Sequence, residues 1–152
     1  MAEGCFCQPH QQLQLPLQTA LLSAARIENV KGIGGLFFLA RDPVALASWY
    51  RDHLGIAVVP SDYKTPPWQQ EAGPTAFAPF PETTTYFGDA GKMWMINFRV
   101  GNLDAMGAQL RAAGISVEID AQVYPNGRFA RLYDPEGNPI ELWEPAGRNA
   151  AR

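Results

Sequence analysis

Histidine and cysteine are scarce in this chain, with two of each among 152 residues. Cys5 and Cys7 lie together near the N-terminus, so no disulfide framework is available and a reducing, cytoplasmic location is expected. A Cys-x-Cys pair binds soft metals, but His10 is the only other ligand of that kind nearby, and two incidental thiols in a tail are the expectation. With only His10 and His53 present, a metal centre built on histidines is short of ligands from the start. No apolar run approaches the roughly 18 to 20 residues that cross a bilayer, so no membrane partner is expected. The net charge of -3 lacks the basic excess that draws a protein to nucleic acid or to anionic lipid. No Lys or Arg precedes Arg26, so the apolar stretch 15–25 has no basic region of the kind that opens a secretory leader.

What is present suits a globular protein: 47% hydrophobic and 18% charged residues, in a length that allows one ordinary domain or two small halves sharing a core. Residues 1–30, with five Gln between positions 8 and 18, read as a flexible tail carrying a marginal helix over 19–27. The body is expected at 31–147, with a short C-terminal tail at 148–152. It opens with an apolar strand at 32–40. Asp42 is a good N-cap, Pro43 fits the first helical position, and Leu46, Trp49, Tyr50 and Leu54 recur at helical spacing before Gly55 stops the helix. A short strand follows at 56–59.

The second half repeats this plan. An apolar strand at 92–100 leads to the N-cap Asn102, then Leu103, Met106, Leu110 and Ala113 at helical spacing, a stop at Gly114, and a strand at 115–119. Ala40 to Asp52 aligns with Val100 to Ala112 at a constant offset of 60. A unit this long, occurring twice, is not a solenoid repeat. Between the halves, residues 60–91 are rich in Pro and Gly; a strand is expected at 75–80, another near Trp68, and a loop at 81–92. Pro66, Pro67, Pro74, Pro79 and Pro81 confine these strands to edges or short pieces.

Two strands at the C-terminal end flank Asp134-Pro135-Glu136-Gly137-Asn138, a turn in which Asp134 bonds its own backbone, Pro135 fixes φ, and Gly137 and Asn138 tolerate positive φ. Alternation places Phe129, Arg131 and Tyr133 on one face of the first strand, and separates Ile140 and Leu142 from Glu141 and Trp143 on the second. This turn, followed by Ile140-Glu141-Leu142, resembles the C-terminal signature of the vicinal oxygen chelate superfamily, which includes glyoxalase I, the bleomycin-resistance proteins and the extradiol dioxygenases. The resemblance covers residues 33–145. It implies an α+β fold of two tandem βαβββ modules, 33–91 and 92–145, forming a curved mixed sheet around a trough with the helices outside, and usually a homodimer.

In metal-dependent members the Glu of the Ile-Glu-Leu triplet is a ligand, and the resemblance places the other ligand positions on Gly35, approximately Phe77, and Met95. Only Glu141 among these suits a hard or borderline divalent ion; Gly35 and Phe77 offer no donor, and the Met95 thioether suits copper(I). No metal or other cofactor is therefore expected, although Glu71, Glu82 or Asp89 joining Glu141 is a conceivable site. His53, late in the first helix, reads as a helix-end surface residue.

Alternation in the strand at 92–100 puts Met95, Asn97 and Arg99 opposite Trp94, Ile96 and Phe98, the wholly apolar set belonging under the helix. The trough is then lined by Phe37, Leu39, Phe77, Met95, Phe129, Tyr133 and Trp143, with Asn97, Arg99, Arg131 and Glu141 as its polar groups. The expected function is that of a metal-free protein of the bleomycin-resistance type holding a small hydrophobic or aromatic ligand; the alternative is a divalent-metal lyase, isomerase or dioxygenase of the glyoxalase type, and a third reading is metal-free proton transfer by Glu141 or Tyr133. In a competing account the aromatics fill a core and Arg99 or Arg131 merely neutralises Glu141.

Overall fold

The computed structural model describes residues 28–88 and 91–150. The expected tail with Cys5, Cys7 and His10, the expected helix at 19–27, and Asp89 lie outside the described residues. The chain divides into two units, 1–36 and 37–152. The described part of the first, 28–36, is exposed and holds neither helix nor strand.

In the second unit both expected helices form on their expected caps. Helix α1 spans Pro43–Leu54, with the Asp42 carboxylate accepting the Ala45 N–H at 3.0 Å. Helix α2 spans Leu103–Ala112, with the Asn102 side chain accepting the Ala105 N–H at 2.8 Å. Each cap satisfies one of the N–H groups that the first turn leaves without a partner. Gly55 and Gly114 follow the helices at φ 71° and 79°, the left-handed conformation in which glycine ends a helix without strain. Leu46 and Tyr50 of α1 and Leu103 and Leu110 of α2 are buried.

These side chains close over one face of a four-stranded mixed sheet of order β1-β4-β3-β2, with β1 at Ile96–Arg99, β2 at Glu118–Ile119, β3 at Gly127–Tyr133 and β4 at Pro139–Pro145. Strand β1 runs parallel to β4, while β3 is antiparallel to both β4 and β2. Ala130, Leu132, Ile140 and Leu142 face the helices and are almost wholly removed from water. Leu132, Ile140 and Leu142 each contribute on the order of 1.5–3 kcal/mol by burial. Arg128 of β3 forks onto Asp104 of α2 with two 2.8 Å contacts, and the Leu103 N–H donates to the Glu144 side chain, so α2 is tied to β3 and β4.

The β3–β4 turn is built on Asp134. Its Oδ1 accepts the backbone N–H groups of Glu136 at 2.8 Å and Asn138 at 2.9 Å. Its Oδ2 accepts the Asn138 side-chain amide at 2.7 Å and the Tyr50 hydroxyl of α1 at 3.0 Å. Burial, and then the Asp134 carboxylate beside it, raise the Tyr50 pKa well above the usual phenol range. Glu136 reaches back to accept the backbone N–H groups of Arg41 and Asp42 at 2.8 and 3.0 Å. One turn thus anchors the start of α1 as well as the hairpin.

Several expected strands are shorter or do not pair. The segments 32–40, 56–59 and 75–80, and the piece near Trp68, carry no ladder, and β1 and β2 occupy only parts of 92–100 and 115–119. Prolines at 66, 67, 74, 79 and 81 remove donors from the middle stretch, and among the described residues neither 32–40 nor 56–59 finds a strand to pair with. Alternation nevertheless survives in burial. Phe38 packs against Tyr50 and Trp94 at 6.4 and 5.0 Å between rings, whereas Phe37 and Leu39 are 94% and 97% exposed. Gly147–Asn149, at the junction with the expected C-terminal tail 148–152, forms a single 3-10 turn. Among the described residues no helix is long and apolar enough to cross a membrane.

Replacing Asp134 by Ala leaves the Tyr50 hydroxyl and two backbone N–H groups of the turn without their acceptor. We expect a loss of about 3 kcal/mol in denaturant unfolding, against about 1 kcal/mol for Tyr50→Phe, which removes only one of the bonds.

Candidate functional site

The strand register decides which side chains share the face turned away from the helices. Asn97 stands beside Glu141 and Arg99 beside Trp143 across β1 and β4; Phe129 stands beside Trp143 and Arg131 beside Glu141 across β3 and β4. Neighbouring residues in register point to the same side of a sheet. The six therefore lie on one face, together with Tyr133, as alternation in the sequence indicated.

At its centre is Glu141, only 7% exposed. Its Oε1 accepts the Tyr86 hydroxyl at 2.6 Å, and its Oε2 accepts the Asn97 side-chain amide at 2.7 Å. Arg131 places a guanidinium nitrogen 3.8 Å from Oε1 and its central carbon 4.6 Å from the centre of the Tyr86 ring. A carboxylate this buried is costly unless paired and hydrogen-bonded, and here it is both. Tyr86 stacks on Phe80 at 5.3 Å and 11°, and Phe87 meets both rings edge-on. Burial pushes the Tyr86 phenol up to about 12; the hydrogen bond to Glu141 and its negative charge add to this, and Arg131 opposes it.

The other expected residues are placed unequally. Trp143 stacks on Phe129 at 6.2 Å and 3° and donates its indole N–H to the Asn126 carbonyl at 2.9 Å, giving the face a rigid aromatic wall. The Tyr133 hydroxyl lies against Gly88, where a Cβ would come within 2.5 Å of it and φ is 92°. Arg99 does not neutralise Glu141: it donates to the Glu71 carbonyl at 2.6 Å and occupies the space a side chain at Gly73 would need. Met95 is half-buried. Phe37 and Leu39, nearly fully exposed, and Phe77, 89% exposed, wall nothing within the described residues.

Tyr86 and Phe80 were not singled out from the sequence. A buried Glu demands a donor, but nothing in the spacing links position 141 to a loop 55 residues earlier. Glu71 and Glu82 are exposed, and His53 sits in the last turn of α1 with its ring 5.4 Å from that of Trp49. Among the described residues no group of three His, Cys, Asp or Glu converges. A shallow hollow of about 190 Å³, lined by Ser116, Glu118, Arg131, Leu132 and Tyr133, opens at the β2 side of the sheet.

Residues 35–143 match the family profile described as "Glyoxalase-like domain". Among solved structures, a glyoxylase/bleomycin resistance protein/dioxygenase domain from Frankia sp. EAN1pec is similar at 19% identity over 78% of this chain and 100% of that one, with a TM-score of 0.51. TnmS3, an antibiotic binding protein from a Streptomyces species, is similar at 24% identity over 69% of this chain and 88% of that one, with a TM-score of 0.45. A glyoxalase family protein from Enterococcus faecalis is 27% identical over 43% of this chain, which spans 52% of its length, with a TM-score of 0.33. No curated protein matches.

The phenol titration gives a direct check on the site. The folded-state pKa of Tyr86 lies above its ordinary 10.0, so its contribution to stability is intact below pH 10 and lost as pH rises toward 12. NMR of carbon-labelled tyrosine, assigned with Tyr86→Phe, is expected to show the high value in the native chain. Glu141→Gln lowers it but leaves it above 10.0, because burial is the larger cause.

Proposed function

We propose that this chain, which belongs to the glyoxalase-like domain family of the vicinal oxygen chelate superfamily, is a metal-free protein binding a small hydrophobic or aromatic molecule. The observation that carries this reading is the state of Glu141: both carboxylate oxygens are engaged by organic donors, Tyr86 and Asn97, within an aromatic face. Mostly apolar walls with a few convergent polar groups are the usual make-up of a ligand site.

The residues present do not fit a divalent ion. A catalytic centre needs about three protein ligands and an open position, while the ligand positions implied by the superfamily hold Gly35, Phe77, Met95 and Glu141. The runner-up, a metal-dependent lyase or dioxygenase, has one observation in its favour: Glu141 itself stands where the superfamily places a metal ligand. Proton transfer by Glu141 or Tyr133 has no such support.

The same proposal takes 33–91 and 92–145 as tandem modules and the sheet face as the floor of a trough. Phe37, Leu39 and Phe77, apolar and almost fully exposed, favour a homodimer in which they are covered. A cytoplasmic location, with neither nucleic acid nor membrane as partner, completes the reading.

A thermal-shift screen of flat aromatic compounds tests it. A true ligand at 100 times its dissociation constant stabilises the fold by about 2.7 kcal/mol, and Trp143→Ala, which removes the aromatic wall, is expected to weaken binding by about tenfold or more. A hit whose affinity is indifferent to both Trp143→Ala and Glu141→Gln binds elsewhere and counts against the site.

A further inference from the structure

Among the described residues, Tyr86 enters the site from a segment whose backbone hydrogen bonds stay within its own turns. Thr84 N–H donates to the Pro81 carbonyl at 2.9 Å, Gly88 N–H to the Thr85 carbonyl at 3.1 Å, and Tyr86 N–H to the Thr84 hydroxyl at 3.2 Å; none of these bonds reaches the sheet. The segment meets the sheet through side chains, with Tyr86 on Glu141 and Arg131, and Gly88 under the Tyr133 hydroxyl. Tyr86 is 41% exposed and lies outside the buried core cluster, so withdrawing its ring opens the site without unpacking that core.

From this arrangement we propose that Tyr86 stands in for the ligand: the site takes a neutral phenol, whose ring and hydroxyl replace those of Tyr86 between Arg131, Phe80 and Glu141. This deepens the ligand-binding reading and rests on it. Three features select the chemistry. Glu141 only accepts hydrogen bonds, and its Oε1 faces the incoming group, so the ligand must present a donor. Arg131, 4.6 Å from the ring centre, attracts an aromatic face. The nearly buried carboxylate repels an anionic ligand, which removes benzoates and phosphates from the candidates.

The test uses the full chain with Tyr86→Ala and three probes of matched shape: p-cresol, toluene and p-toluate. Dissociation constants are measured by calorimetry or ligand-observed NMR. p-Cresol is expected to bind the variant about tenfold more tightly than either other probe, and about tenfold more tightly than it binds the native chain, where it must displace Tyr86. Equal affinity of the variant for toluene and p-cresol overturns the phenol preference while leaving an aromatic site in place. Equal affinity of p-cresol for variant and native chain overturns the displacement. No binding of any probe to a folded variant overturns the inference and the site together.

Should Tyr86→Ala fail to fold, Tyr86→Phe retains the ring on Phe80 and frees the carboxylate. A several-fold gain in p-cresol affinity is then expected, and no change overturns the proposal. A separate readout on the native chain distinguishes the two levels: an aromatic ligand that binds while the Tyr86 ring signal stays unshifted keeps the ligand site and overturns the stand-in.

Discussion

The buried carboxylate of Asp134 accepts four hydrogen bonds, from the Tyr50 hydroxyl, the Glu136 and Asn138 backbones and the Asn138 side chain. The register of β3 on β4 depends on that turn. A slip of one residue would exchange the faces of β4, sending Ile140 and Leu142 to the open side and Glu141 into the apolar layer beneath the helices. The contact with Tyr50 also joins the turn to α1, and Glu136 adds two bonds to the backbone at the start of that helix. The site is thus positioned by a network that none of its own residues belongs to.

Glu141 imposes the second constraint. Its neighbours in register, Asn97 and Arg131, come from β1 and β3, so the carboxylate draws on both strands that flank β4. Its remaining partner, Tyr86, comes from a loop outside the sheet. The Tyr86 hydroxyl ties the loop to the sheet face, and Asn97 and Arg131 still engage the carboxylate when that ring is withdrawn. Arg131 serves two groups, opposing the charge of Glu141 and lying against the Tyr86 ring, so loop, ring and carboxylate form one unit.

Much of this was legible in the sequence because it is local. The caps Asp42 and Asn102, the stops at Gly55 and Gly114, the Asp-Pro-Glu-Gly-Asn turn and the sorting of strand faces each follow from a few adjacent residues, and the structure displays them. What escaped is long-range. The Tyr86–Glu141 bond spans 55 residues, Glu136 bonds a helix start 94 and 95 residues away, and Arg99 is taken by the Glu71 carbonyl although its position on the strand aims it toward the site. The unpaired segments 32–40, 56–59 and 75–80 show the limit of apolar patterning as evidence for strands. A pattern marks which side chains seek burial, and a ladder also requires a neighbouring strand with free donors and acceptors.

On the proposed function, Glu141 serves an organic ligand rather than a metal. Elemental analysis tests it most directly, on protein as purified and after an apo sample is offered zinc, nickel, iron(II) and manganese in turn. No sample is expected to retain a stoichiometric equivalent after removal of free ion, because Glu141 is the sole hard donor among the superfamily's ligand positions. A full equivalent, tightly held and lost in Glu141→Gln, would contradict it and make the chain a metal-dependent enzyme of the glyoxalase or dioxygenase type.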